Sequence, residues 1–208
     1  MIIFIVPAYN EEENITSLLS KMDSKMKALK ADYRLILVND GSVDMTKSRA
    51  LEFAGKIPME IVDLYGNKGV GHCFIAGFRR ALELAGDEDI IVTKEADNTS
   101  DLEILEKMLD SIAAGYDMVL ASCFAPDGKV IGVPPIRFAL SFMANNILRL
   151  IYPIDGVHTY SSFYRAYKAR MLRKAFYAYD NRLIEDSNFT CMVEMLVKLS
   201  RLPIRIKE

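Results

Sequence analysis

Two carboxylates, Glu95 and Asp97, stand one residue apart in the run TKEADNTSD (93–101), which overlaps the end of an apolar stretch, DIIVT. Such a pair can favour a helix N-terminus, hold a divalent cation or do acid–base work. The choice depends on what else gathers at the same end of the fold. Three further polar runs stand in the same relation to apolar stretches: VPAYNEEEN, NDGSVDMT and GNKGVGHC. Each has a plain structural explanation. Asn39-Asp40-Gly41-Ser42 is turn chemistry, and Ser42 or Asp44 can cap the helix that follows. The run GNKGVG (66–71) could cradle a phosphate, but it lacks the Walker G-K-[ST] and does not follow the first strand, as a dinucleotide fingerprint must. A tight turn into a helix is the expectation there. Taken together, two acid-bearing loops at one edge repel each other unless a cation lies between them. An all-oxygen donor set suits magnesium or manganese. A cation held there attracts a diphosphate, so the edge reads as a nucleoside-diphosphate site.

The elements that must position these loops are legible as short apolar runs alternating with helical patterns. Residues 2–6, 34–38, 59–64, 89–93 and 117–122 are rich in Ile, Val and Leu, as strands covered on both faces tend to be. Ile15, Leu18, Leu19, Met22, Met26 and Leu29 mark one face of a helix between the first two. Ser100 with Glu103 predicts a capping box opening a helix over 101–114. This alternation implies an α/β fold, a doubly wound, mainly parallel sheet with helices on both faces and right-handed crossovers. In such a sheet ligands bind beyond the carboxyl ends of the strands, where the four polar runs fall. After residue 123 the pattern loosens into a loop, a helix from about Ile136, the run SSFYRAYKA and a helix across 186–199. LPIRIKE at the chain end reads as the start of a strand.

The 208 residues are 51% hydrophobic, enough for one domain with a substantial core. The net charge of −2 and the lack of a Lys/Arg-rich block argue against a nucleic-acid partner. Cys73, Cys123 and Cys191 are odd in number and widely spaced, which fits a reduced, cytoplasmic setting and no zinc site. No run is long enough to span a bilayer. The nearest, IRFALSFMANNILRLIYPI (136–154), is interrupted by Arg137, Asn145, Asn146 and Arg149. A buried amphipathic helix is the first expectation for it; a helix lying on a membrane surface is the alternative.

The ordered set of motifs resembles glycosyltransferase family 2, nucleotide-sugar transferases of the GT-A (Rossmann-like) fold, and within it the dolichyl-phosphate mannose synthase-like branch. VPAYNEEENI is similar to the family's opening motif, NDGSVDMT to its D-D-G-S-x-D-x-T, and GNKGVGHCFIAGFRRA to its N-x-G-x-G run into a helix. EADNTSD stands where the family carries its D-x-D, and SSFYRAYKA and VEMLVKLSRLPIRIKE resemble later landmarks. The resemblance implies one catalytic domain, with a nucleotide-sugar half over 1–122 and an acceptor half over 123–208, and places the family's further basic residues past Glu208. It implies that Pro7, Ala8, Tyr9 and Glu11 hold the base and ribose, that Val38 and Asp40 continue that pocket, and that Glu95 and Ala96 lie along ribose and diphosphate. Asp97 would hold the divalent cation, Mg²⁺ or Mn²⁺, with Glu95 beside it and Thr99 a weaker ligand. Arg137 would sit near phosphates, and Asp186 resembles the acid that serves as base in other branches. The sequence departs from the family at Asn39 and Glu95, where acids of the motifs are Asp, at Cys123, often Arg, and at His158, commonly Asp.

The implied reaction is inverting transfer of a hexose from a nucleoside-diphosphate sugar to an acceptor. The expected acceptor is a polyprenyl or dolichyl phosphate at the cytoplasmic membrane face. A sugar hydroxyl of a cell-envelope glycan is the alternative, as is a degenerate homologue that binds nucleotide without turnover. A homodimer is a further expectation. A sugar-nucleotide pyrophosphorylase is disfavoured, because VPAYNEEEN is not its G-x-G-T-R-like loop.

Overall fold

A computed structural model describes residues 1–125, 128 and 133–208, with the Arg137 side chain outside that description. Seven strands form one sheet in the order β3-β2-β1-β4-β6-β5-β7. They are β1 (Ile2–Ala8), β2 (Tyr33–Asn39), β3 (Met59–Asp63), β4 (Ile90–Thr93), β5 (Met118–Leu120), β6 (Arg165–Lys168) and β7 (Ile206–Lys207). The helices are α1 (Ile15–Leu29), α2 (Thr46–Leu51), α3 (Val70–Leu84), α4 (Ile104–Ala113), α5 (Pro135–Ile151), α6 (Ala169–Tyr179) and α7 (Cys191–Leu199).

β1 is nearly all apolar because both its faces are covered. Ile3 and Ile5 enter a core with Phe74 and Phe78 of α3 and Met195 of α7. Phe4 and Val6 enter the opposite core with Leu18 and Met22 of α1 and Leu105 of α4. The predicted α1 face is buried as expected, with Leu29 partly so. β1 pairs in parallel with β2 and with β4, matching Ala8 to Asn39 and Ile5 to Thr93. The loops after these strands therefore share one edge.

β6 is the exception to the parallel order. It runs antiparallel between β4 and β5, with Arg165 opposite both Thr93 and Leu120. The chain leaves the sheet after Leu120 and returns at Arg165 on the same carboxyl edge. The excursion that contains α5 therefore begins and ends at the edge that carries the 93–101 run.

α5 overturns the expectation of a buried helix. Among its described residues Asn145 alone is buried: its Oδ1 accepts the Tyr160 N–H at 2.7 Å and its Nδ2 donates to Ser141 O. Leu148 packs partly against the core. Leu140, Met143, Ile147 and Leu150, at helical spacing, are 60%, 56%, 53% and 84% exposed. Asn145, Leu148 and the packing of Phe138 and Phe142 on Phe124 hold this helix, and its apolar positions outnumber the core surface offered to them. No helix among the described residues is long and apolar enough to cross a membrane.

Two helix starts differ from the sequence expectation. α4 opens at Ile104, not 101, and the predicted capping box is not made. Asp101 Oδ1 accepts the Glu103 N–H, the Glu103 carboxylate is drawn to Lys25, and the Ser100 hydroxyl goes to Glu95. α7 opens at Cys191 rather than 186, because Asp186 folds its own segment into a side-chain-bonded turn through the Asn188 N–H and the Thr190 hydroxyl.

Candidate functional site

The loops after β1 and β2 are knitted to each other by their own hydrogen bonds. Asp44 Oδ1 accepts both the N–H and the hydroxyl of Thr46, the first residue of α2, from one position before the Met45 N-cap, which makes no side-chain cap bond of its own. The other Asp44 oxygen accepts the Glu12 N–H. Thr46 Oγ1 in turn accepts the Glu11 N–H at 2.7 Å, the Asn10 N–H donates to Ser42 Oγ, and Asn10 Oδ1 accepts the Val43 N–H. Glu11 Oε2 accepts from Asn14 Nδ2 at 2.8 Å, so this carboxylate is oriented by its own loop. Tyr9 is 43% exposed beside it, while Pro7 is half-buried and Ala8 and Val38 lie in the strand ends.

Asp40 is buried, and both its oxygens are used. Oδ1 accepts the Lys68 N–H at 2.7 Å and Oδ2 the Gly69 N–H at 2.9 Å. The backbone donors of the glycine run that could have met a phosphate thus meet an aspartate, which agrees with a tight turn into α3. The Cys73 thiol, pushed up to about 12 by burial and then by Asp40, stays protonated at this junction. Asn39, where the family motif carries an acid, donates to Asp63 Oδ1 and accepts the Ser42 N–H. Lys47 completes that cluster at Asp63.

α3 begins against the backbone of the 186–187 turn. The Gly71 N–H donates to Ser187 O at 3.0 Å. A Cβ at Gly71 would lie 2.0 Å from Asp186 O, and one at Gly69, whose φ is +91°, 2.3 Å from Ser187 O. Glycine is required at both positions, because the neighbour is main chain and cannot step aside. Gly71→Ala should cost about 2–3 kcal/mol and lower the melting temperature by roughly 4–12 °C. An unchanged melting curve would contradict this packing.

The two acids of the 93–101 run have different surroundings. Glu95 is half-buried, and burial raises its pKa from the usual carboxylate range; its Oε2 accepts from Ser100 Oγ at 3.1 Å. Asp97 is exposed, and its Oδ1 accepts both the N–H and the hydroxyl of Thr99. Those bonds leave Oδ2 without a protein donor among the described residues. They also occupy the Thr99 hydroxyl as a donor to Asp97. Ala96 is buried between the two acids. Among the described residues no three His, Cys, Asp or Glu side chains cluster as a metal cage. Asp97, with Glu95 beside it, is the residue here that would hold a Mg²⁺ or Mn²⁺ whose remaining positions go to diphosphate oxygens and water.

On the acceptor side, Arg137 lies in the first turn of α5, its side chain outside the described residues. Asp186 has its carboxyl held below the usual range, first by the Thr190 hydroxyl and then by the Asn188 N–H. Glu208 was not foreseen. Its Oε2 accepts the N–H groups of His158 and Thr159, and its Oε1 the Thr159 hydroxyl. The end of β7 thus fixes the loop that leads into β6. Cys123 is exposed close by. Two buried cations, Lys94 and Arg165, were also unforeseen. Arg165 donates to Met192 O and Tyr160 O. A lysine that ends an otherwise apolar strand, as in IIVTK, was the available signal for Lys94.

A family model described as glycosyl transferase family 2 matches residues 3–176. The chain is 31% identical over 149 residues to a dolichol-phosphate mannosyltransferase of Pyrococcus furiosus, a match covering 72% of this chain and 40% of that protein. It is 30% identical over 172 residues to a polyprenol monophosphomannose synthase of Mycolicibacterium smegmatis, covering 82% of this chain and 62% of that one. The chain therefore spans from about two fifths to three fifths of these relatives' length. Among solved structures it is similar to glucosyl-3-phosphoglycerate synthase from Mycobacterium tuberculosis in complex with Mn²⁺, uridine diphosphate and phosphoglyceric acid. That likeness has a TM-score of 0.69 at 19% identity, covers 100% of this chain and 67% of the other, and concerns the fold.

Proposed function

The chain belongs to glycosyltransferase family 2, with a GT-A fold, and from that membership we propose that it moves a hexose from a nucleoside-diphosphate sugar to a polyprenyl phosphate at a membrane surface. The observation that carries the acceptor half of this reading is α5, an exposed apolar helix in an excursion that leaves and rejoins the sheet at the edge carrying Asp97. A single exposed leucine means little, but a continuous apolar helix face suits acyl chains. The named relatives, a dolichol-phosphate mannosyltransferase and a polyprenol monophosphomannose synthase, support the same acceptor class.

In this reading Tyr9 and Glu11 border the base and ribose, with Pro7, Ala8 and Val38 forming the apolar strand ends behind them. Asp40 shapes the pocket through the 68–69 backbone. Glu95, Ala96 and Asp97 follow the diphosphate, and Asp97, with Glu95 behind it, would hold the divalent cation. When bound, the cation supplies positive charge against the charge that grows on the leaving diphosphate. Arg137 is assigned the same task from the acceptor side. A phosphate oxygen of the acceptor forms the new bond to the anomeric carbon from the face opposite the leaving group. The old bond's electron pair departs with the nucleoside diphosphate, and the configuration inverts. The attacking phosphate is already ionised, so no proton needs removal.

That removes the need for Asp186 as a base. A carboxylate held below its usual pKa is a poor general base, and this one closes the turn before α7. Its contribution to stability is present at neutral pH and fades as the pH falls through its lowered pKa. Asp186→Asn should leave the transfer rate within tenfold of the parent, whereas losing an essential base costs roughly 10²- to 10⁴-fold. Single-turnover rates on the variant decide between the two.

Donor class is tested by thermal shift with UDP-, GDP- and dTDP-sugars, each with Mn²⁺ and with EDTA. One nucleotide should stabilise the protein by about 2.7 kcal/mol at a hundred times its dissociation constant with metal present, and by clearly less at the same concentration in EDTA. Equal shifts in EDTA would contradict a metal-linked donor site.

A further inference from the structure

Lys94 is a buried cation that the transfer reaction above does not use. Its N–H still bonds to Ile5 O, so its backbone extends the β1–β4 ladder. Its side chain is 0% exposed. Nζ donates to Ser100 O at 2.9 Å and lies 5.1 Å from the centre of the Tyr164 ring. No carboxylate stands within ion-pair distance of it among the described residues.

A desolvated ammonium without an ion-pair partner is costly unless its surroundings favour the charge. Burial depresses the Lys94 pKa, while Glu95, Asp97 and Asp101 act in the opposite sense and Lys21 of α1 adds to the depression. The acids that favour its charge are those of the loop it closes. Lys94 grips the Ser100 carbonyl, and the Ser100 hydroxyl grips Glu95. The 94–100 segment is thereby tied across its ends, with Asp97 at its exposed tip.

We propose that Lys94 is a positioning residue: an internal counter-charge that holds the 95–101 loop in shape without a divalent cation, and so sets how strongly nucleoside-diphosphate binding depends on that cation. The first part stands on this geometry alone, and the second rests on the donor-site reading. Without metal, Lys94 offsets the field of Glu95 and Asp97 that repels a diphosphate. With metal, the same charge opposes the incoming cation. Removing it weakens the metal-free complex and favours the metal-bound one, so the two effects add in the coupling between cation and nucleotide.

Two variants separate charge from hydrogen bonding. Lys94→Met keeps an unbranched apolar stem against Tyr164 and removes both. Lys94→Gln removes the charge and keeps a donor. Amide hydrogen exchange in EDTA should show residues 97–101 exchanging about tenfold faster in Lys94→Met than in the parent, with β1 unchanged and Lys94→Gln between them. Titrations with UDP and with GDP, in EDTA and in Mn²⁺, should show the ratio of the two dissociation constants rising about tenfold in Lys94→Met. Parent-like exchange at 97–101 in both variants would overturn the positioning role. So would faster exchange spread evenly over β1 and the loop in both, since that marks general destabilisation. An unchanged metal-to-nucleotide ratio would overturn the coupling. If neither nucleotide binds the parent in either condition, the donor-site reading and the coupling that rests on it fail together, while the exchange experiment still decides the positioning role.

Discussion

Asp97→Asn should lower transfer by about 10²- to 10³-fold, the usual cost of removing one group that stabilises charge developing on a leaving diphosphate. The substitution keeps size and shape. The Asn side-chain oxygen can still accept the Thr99 bonds, so the loop and the melting temperature should be retained. What is lost is the negative charge on an exposed carboxylate whose second oxygen faces no protein donor among the described residues. Calorimetry should show the Mn²⁺-dependent part of nucleotide affinity gone and the metal-free part kept or modestly strengthened, since one charge that repels the diphosphate is removed. Equal affinity in parent and variant with Mn²⁺ present would remove Asp97 from the metal site.

Ile147→Glu combined with Leu150→Glu should weaken association with liposomes by at least about a hundredfold. Burying one large apolar side chain contributes roughly 1.5–3 kcal/mol, and each of these residues is more than half exposed in the protein. Placing two carboxylates there forfeits that gain and adds a desolvation cost. Their exposure also means that the fold should tolerate the change, and an unchanged melting temperature is the control. Flotation with vesicles containing anionic lipid and polyprenyl phosphate reads the effect. Parent-like flotation of the double variant would exclude this face of α5 from membrane contact.

The sheet was legible because its strands are covered on both faces and so read as unbroken apolar runs, β1 most plainly. The order of loops along one edge followed from the same pattern, and the pairing of Ala8 with Asn39 bears it out. β6, within SSFYRAYKA, carries no apolar run that marks it as a strand. Its antiparallel insertion between β4 and β5 depends on pairing across more than forty residues, which no local pattern carries. The capping box failed because Ser100 had a second partner in Glu95, a contact within the loop that motif spacing could not reveal. The motif places Asp40 at the pocket but cannot say that both its oxygens go to the 68–69 backbone, a contact made across the gap to the next strand's loop. Periodicity marked α5 as apolar and could not say whether core existed to receive it. Nothing local marks Lys94 as buried, because the ring it lies against, Tyr164, is seventy residues further along.

The most direct test is to incubate the protein with Mn²⁺, the donor sugar chosen by thermal shift carrying a radiolabel, and polyprenyl phosphate in detergent, and to follow the label. The predicted result is label in the organic phase as a polyprenyl-phosphate sugar. Mild acid should release it as free sugar, and EDTA and Asp97→Asn should each prevent its formation. Label recovered instead on a glycan hydroxyl, with the polyprenyl phosphate unchanged, would contradict the account.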